Sequence, residues 1–587
     1  MRHYELRISE LRMKKKLLLA ACYLTLAFGF SSCSLIINHL LKVKNPKHAG
    51  EYPKFSESTK LLGNENTKYR TCFDATFYEL NITVDEKNKY LKGTVQMNAT
   101  AVSDFDTLQI DLYENLKLNK ISFEGKNISY SRKYGAVFVA MPRKIKSGEK
   151  FKLLINYEGS PLVAKKPPWK GGFVWSKDKE KNPWIGVACE SEGASLWWPC
   201  KNVNNDEPDS AAINITVAKD LVAVCNGHLI GTQTGVNGET NISSNMITYK
   251  WFVSYPINLY DVTLYVGKFK LLADSVKMPS GKTLQINHYV LPMNYEKAKT
   301  HLAQAKDILA FYEKTFGEYP WYKDGYKLIE SPYEGMEHQS AIAYGNGYKN
   351  SFGLSFDYII LHESAHEWWG NGVTASDFAD VWLQEGFATY SEALYLENTQ
   401  GKEFSLKYLA LLYRSQIANK YPVVGPVGYR YFDYRNNDCY QKGAWTLHTL
   451  RTQIGADRIF FDILKSFQEK YRYKTVSSKD FIDMVNEKTG DDYHWFFKQY
   501  LYDRKSPVLE YYWDGTDFYY RWKNVDSTFK MPAEIILDKL VRINLKPTTY
   551  IQKISISSQT YKEIDFYNYM ELFGTKKNKK LRREFPK

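Results

Sequence analysis

Cysteine is scarce: the chain has seven in 587 residues. The five beyond Cys22 and Cys33, namely Cys72, Cys189, Cys200, Cys225 and Cys439, follow no metal-binding spacing. This excludes a cysteine-ligated metal, and no cysteine has the setting of a nucleophile; a Cys189–Cys200 pair stays open for an oxidising compartment. A long apolar run is also missing, because the stretch from Leu17 to Phe30 is too short to span a bilayer comfortably. There is no internal repeat and no low-complexity block. No basic helix carries interleaved aromatics, so the formal charge of +14 reads as a solvated basic surface and not as a nucleic-acid partner's footprint. With 44% hydrophobic and 25% charged residues the chain is ordinary globular material, neither disordered nor many times membrane-spanning. Aromatics reach 16%, with 46 Tyr, which suits extended β surfaces and clefts for peptides or sugars.

Lys14-Lys15-Lys16, the apolar run Leu17 to Phe30 and the small residues Ser31-Ser32 before Cys33 have the order of a secretory signal. The Ser-Ser-Cys ending resembles a bacterial lipoprotein processing site. Residues 1–33 are therefore expected to be a signal peptide whose Cys33 becomes an acylated first residue. The protein is then exported and lipid-anchored to a bacterial membrane, on the periplasmic side or the cell surface. A plain cleaved signal with an incidental Cys is the alternative. Residues 34–70 are polar and weakly patterned, with Pro46, Gly50 and Pro53, and read as a tether.

At this length several cores are expected, and the hydrophobic period places them. From residue 71 to about 270 the pattern alternates: Leu108, Ile110 and Leu112 share one face of TLQIDLY, as do Val95, Met97, Ala99 and Ala101 in GTVQMNATAV. This predicts an N-terminal antiparallel β domain. From 271 to 505 helical spacing takes over, for instance at Leu302, Ala305, Leu309 and Tyr312 with a stop at Gly317. Residues 506–587 return to strands and predict a small C-terminal β-sandwich, with the charged tail TKKNKKLRREF as a solvated end. The whole reads as a multidomain α+β chain.

The chemistry concentrates in His362-Glu363-Ser364-Ala365-His366, which follows the apolar run Tyr358-Ile359-Ile360. Residues four apart lie one above the other on a helix, so both imidazoles can face one ion, and Zn2+ accepts such nitrogens in a tetrahedral shell. Glu363 is placed to reach water held at that ion, as a general base. An H-E-x-x-H alone arises by chance in about one or two such chains per hundred, so the third ligand matters. Glu385, in Trp382-Leu383-Gln384-Glu385-Gly386-Phe387, lies eighteen residues beyond His366 and completes a two-His, one-carboxylate set with one open position.

These motifs and their gap resemble the aminopeptidase N family of zinc peptidases, which includes leukotriene hydrolase. Tyr333-Glu334-Gly335-Met336-Glu337-His338 stands where that family carries G-x-M-E-N, with Glu334 and His338 departing from it. The resemblance implies that Glu337 grips the substrate's free α-amine and that Gly335 and Met336 line the cleft. Cys189-Glu190-Ser191-Glu192-Gly193 resembles the family's C-E-A-E-G, which makes Glu190 a second amine anchor. Tyr440-Gln441-Lys442-Gly443-Ala444 resembles Y-x-K-G-A, which makes Tyr440 the phenol that stabilises the oxyanion. What the resemblance implies overall is one Zn2+ per chain held in a thermolysin-like, mainly helical catalytic domain. The activity it implies is an aminopeptidase that cleaves the first bond of peptides with a free amino terminus, through a zinc-activated water. The rivals are a zinc endopeptidase and an inert peptide-binding surface protein. Trp368, Trp369 and Trp382 are expected to pack around the metal helices, and His288, His301, His338 and His448 to have ordinary roles. Asn371 reads equally as a helix-end cap or as a residue that orients the metal shell.

Overall fold

The computed structural model describes residues 45, 50 and 52–585 apart from 235–244, 432–435, 538–540, 557–564 and 567–570. The signal-like segment and Cys33 lie outside the described residues. Strand β1 (Phe73–Asp85) is central to an eight-stranded sheet, paired antiparallel with β2 (Tyr90–Ala101) and parallel with Ser210–Ala218. On β2 the alternation works as read, since Val95, Met97, Ala99 and Ala101 are all buried.

Strand β3 (Phe105–Asp111) departs from simple alternation: Gln109 and Asp111 are as buried as Leu108 and Ile110. The reason corrects the tether reading. Residues 52–71 lie on the body, with helical turns at Glu57–Gly63 and Lys68–Thr71. Fully buried Arg70 donates to Asp111 Oδ2 at 2.5 Å, and Gln109 donates to the other Asp111 oxygen at 2.9 Å. Tyr52 stacks on Tyr421 and Phe55 on Tyr429. An Arg buried this deeply is tolerated because its charge meets a carboxylate, and it ties the segment to the β domain.

A four-stranded sheet containing Gly172–Lys177 and Pro183–Ala188 leads to the Glu190 loop. A five-stranded sheet then begins at Lys270 and ends, at its edge, on the short strand β4 (Gly335–Met336). Helices follow: α1 (Ala305–Phe316, after a turn at Tyr295–His301), α2 (Tyr358–Ala365), α3 (Trp382–Gln400) and α4 (Asp438–Ile454). Gly317 closes α1 at φ +109°, a conformation open chiefly to glycine. The apolar interior divides into two cores. One fills the N-terminal β domain and takes in Tyr333 and Met336; the other runs from Met278 to Phe573. β4 therefore sits at the seam between them.

Beyond Pro507 a four-stranded and a three-stranded sheet form the C-terminal β unit. Its Leu509, Phe518, Trp522 and Phe573 belong to the same core as the helices, so it has no separate interior. The tail is not the solvated end its charges suggested. Gly574–Lys577 pairs parallel with Val508–Asp514, Leu581 is fully buried, and the Phe585 ring lies 5.4 Å from that of Tyr519. Lysines on an outer strand also keep it from pairing with another chain. The five described cysteines are buried free thiols, so Cys189 and Cys200 are not joined. Among the described residues no helix is long and apolar enough to cross a membrane.

Candidate active site

Helix α2 begins at Asp357, whose carboxylate accepts from the Ile359 amide at 3.0 Å, and its last turn brings His362 under His366. His366 is the closing residue, still in helical conformation, and Gly370 at φ +119° turns the chain away. Helix α3 brings Glu385 across in its first turn. The three inward atoms lie close together: His362 Nε2 to His366 Nε2 is 3.2 Å, and Glu385 Oε2 is 3.3 and 3.5 Å from them. Ligands held about 2.0–2.1 Å from a tetrahedral metal are about 3.3–3.4 Å apart, so the set has the dimensions of a zinc site.

The outer nitrogens reinforce this. His366 Nδ1 lies 2.8 Å from the Trp369 carbonyl and His362 Nδ1 lies 2.8 Å from Glu392 Oε1. Both outer nitrogens face acceptors, so each carries its proton there and turns its Nε2 lone pair inward. Glu392 is in turn held by the hydroxyls of Tyr408 and Tyr413. Sequence reading passed over all three. The available signal was that Glu392 lies two helical turns beyond Glu385 on the same face of α3.

Helix α4 brings Tyr440 into the same cleft, its ring 6.1 Å from that of His362. Two motif glycines allow this. A Cβ on Gly386 of α3 would come within 3.0 Å of Gly443 Cα on α4, so any larger residue would separate the helices. Lys442 is buried and donates to the carbonyls of Asp503 and Arg504, at 3.1 and 3.0 Å, an anchoring contact away from the cleft.

Glu337 follows β4 and accepts from Tyr260 Oη at 3.2 Å, and the Gln384 side chain donates to that hydroxyl at 3.2 Å. Tyr260 is a further residue that sequence reading missed; nothing in its local pattern marks it. Asn371 donates to the Glu337 carbonyl at 2.7 Å, so it ties the β4 loop to the metal helix. Glu190, Glu337 and Glu385 each offer an oxygen within 4.8 Å of the others. Gly335 lies so close to Glu363 that a Cβ there would collide with the carboxylate. Met336 lines the same cleft. Trp368, Trp369 and Trp382 are buried packing, and His288, His301, His338 and His448 have hydrogen-bond partners away from the metal ligands.

Electrostatically the cleft calls for cations. Burial, then the charges of Glu337 and Glu385, push Glu190 well above the carboxylate range. Burial also raises Glu337, with Glu385 adding to the effect, and pushes Glu363 up to about 8. Glu385 goes the other way: burial opposes its charge, but the two imidazoles prevail and hold it at about 2. Among the described residues lining the cleft there is no Lys or Arg. A divalent ion at His362, His366 and Glu385, with an ammonium at Glu190 and Glu337, would supply the missing positive charge.

Residues 74–248 match the family model described as the peptidase M1 N-terminal domain, and residues 300–500 match that of the peptidase family M1 domain, together more than half the chain. Endoplasmic reticulum aminopeptidase 1 of Mus musculus is 28% identical over 312 residues, which is 50% of this chain and 32% of that protein. Leucyl aminopeptidase of Saccharolobus solfataricus is 24% identical over 420 residues, 66% of this chain and 48% of that one. The chain thus spans about a third to about half the length of these relatives. A solved two-domain M1 zinc metallopeptidase bound to L-tryptophan shares the fold at TM-score 0.64 and 21% identity, covering 76% of this chain and 98% of its own. An M1 zinc metallopeptidase of Deinococcus radiodurans does so at TM-score 0.62 and 22% identity, over 76% and 97%.

Proposed function

Because the chain belongs to peptidase family M1, we propose that it is a zinc aminopeptidase that hydrolyses the first bond of peptides bearing a free amino terminus. The observation that carries this reading is the placement of Glu190 and Glu337 against the metal ligands, with oxygens within 4.8 Å of Glu385. An endopeptidase has no need for two acids there, buried Glu337 and half-buried Glu190. A terminal ammonium does, because it is a compact charge best held by carboxylates in a partly desolvated pocket.

His362, His366 and Glu385 are the residues to hold zinc, which when bound supplies Lewis-acid chemistry: acidified water and a polarised carbonyl. The remaining work belongs to the chain's own groups. Glu190 and Glu337 fix the ammonium, so the first peptide bond falls beside Glu363. The substrate can lie along β4, whose outer edge has no strand beside it among the described residues. Glu363 takes the proton from the attacking water and later passes it to the leaving amine, and Tyr440 donates a hydrogen bond to the developing oxyanion.

The test compares a peptide with its N-acetylated form. Acetylation removes the charge and leaves Glu337 and Glu190 without a cationic partner, so hydrolysis should fall about a hundredfold or more. Equal cleavage of both would favour the endopeptidase reading. An inert binding protein would release nothing from either, with or without a chelator.

Residues 14–33 support a further part of the reading: export, with attachment to a bacterial membrane through acylated Cys33. Cys33→Ser should move the protein from the membrane fraction to the soluble one and abolish radiolabelled palmitate incorporation. Unchanged membrane association with no label in the parent protein would refute the anchor.

A further inference from the structure

Besides Glu363, the metal-ligand carboxylate Glu385 and the amine-end acids Glu190 and Glu337, the cleft is lined by a further, exposed carboxylate, Glu334. The order of residues along the wall fixes its position. Glu337 stands at the amine end, Gly335 abuts Glu363 where the scissile bond must lie, and Glu334 comes one residue further on. The chain is extended over Gly335–Met336 and bends at Glu334, so Glu334 stands at the entry to β4, at the opposite end of that strand from Glu337. That is the side on which the leaving peptide sits.

Glu334 is exposed to the cleft, and one of its oxygens accepts from Tyr358 Oη at 2.9 Å. This holds the carboxylate over the first turn of α2. The Phe352 ring lies 5.3 Å from that of Tyr358, and Leu412 and Gln416 also line the cleft. The pocket thus pairs an apolar wall with an acidic end. A Lys or Arg side chain fits that arrangement, since its stem can lie on the rings while its charged head reaches the carboxylate.

We propose that Glu334 selects peptides with Lys or Arg as the second residue. This rests on the aminopeptidase reading above and adds to it a substrate class. An acidic second residue would meet Glu334 and the other cleft carboxylates as like charges and be disfavoured.

The test uses the zinc-loaded full chain and tripeptides whose first residue is held at the one released fastest, with Lys, Arg, Leu or Glu second. kcat/KM for Lys and Arg should exceed that for Leu by about fivefold, the upper range for a partly exposed ion pair. The advantage should shrink as salt is raised. Glu334→Gln should flatten the series and Glu334→Lys should turn it toward Glu, with zinc content reporting that both variants are folded. A flat series in the parent protein, or a basic preference that survives Glu334→Gln, overturns the inference and leaves the aminopeptidase reading standing. Release from none of the peptides would sink both.

Discussion

Replacing Glu363 with Gln is expected to lower kcat by about 10²–10⁴ while the protein keeps its zinc and still binds peptide. The substitution preserves shape and removes only the capacity to take a proton. Glu363 is on α2 between the two His residues; its carboxylate is not in the group formed by His362, His366 and Glu385, but lies within 4.8 Å of a His366 nitrogen and a Glu337 oxygen, beside the metal ligands. It points instead against Gly335, whose missing side chain leaves it room. Burial raises this carboxyl to about 8, which favours proton uptake, although a divalent cation nearby pulls it down again. Metal analysis, calorimetric peptide binding and steady-state turnover together separate the cases. Turnover within about tenfold of the parent's would reject Glu363 as the base.

The metal set was legible because its information is local. Two His residues four apart need only a helix, and the apolar residues before His362 supply it. Glu385 needed one further inference, that a second helix returns to the first. The glycines of W-L-x-E-G-F and Y-x-K-G-A were visible as motif letters, yet their physical role appears only when Gly386 and Gly443 meet across α3 and α4. Glu392, Tyr408, Tyr413 and Tyr260 were hidden because a buried hydrogen-bond chain leaves no periodic trace. The misreadings share one cause. Residues 52–70 read as polar and weakly patterned and the tail as a charge run, and such averages conceal single anchors. Arg70 is buried by one carboxylate at Asp111, and Leu581 and Phe585 fasten a segment that otherwise reads as solvated. The C-terminal strands were identifiable by pattern, but no pattern says whether a β unit keeps its own core. Here it shares that of the helices.

Tyr440→Phe should leave zinc and substrate affinity close to the parent's and reduce kcat by about 10²–10³, the usual consequence of losing one oxyanion donor. The phenol is suited to donate: burial, with the charges of Glu385 and Glu190, raises it well above its ordinary pKa, which favours the protonated form. Its ring lies beside that of His362, and α4 is locked against α3 by the Gly386–Gly443 contact, so the hydroxyl's position is set by packing that the missing oxygen does not disturb. The effect should therefore fall on kcat and leave KM nearly unchanged, because a donor aimed at charge that develops in the transition state contributes little to the ground state. A rise in KM with kcat preserved would make Tyr440 a substrate-binding residue. Near-normal kinetics in both terms would remove it from the mechanism.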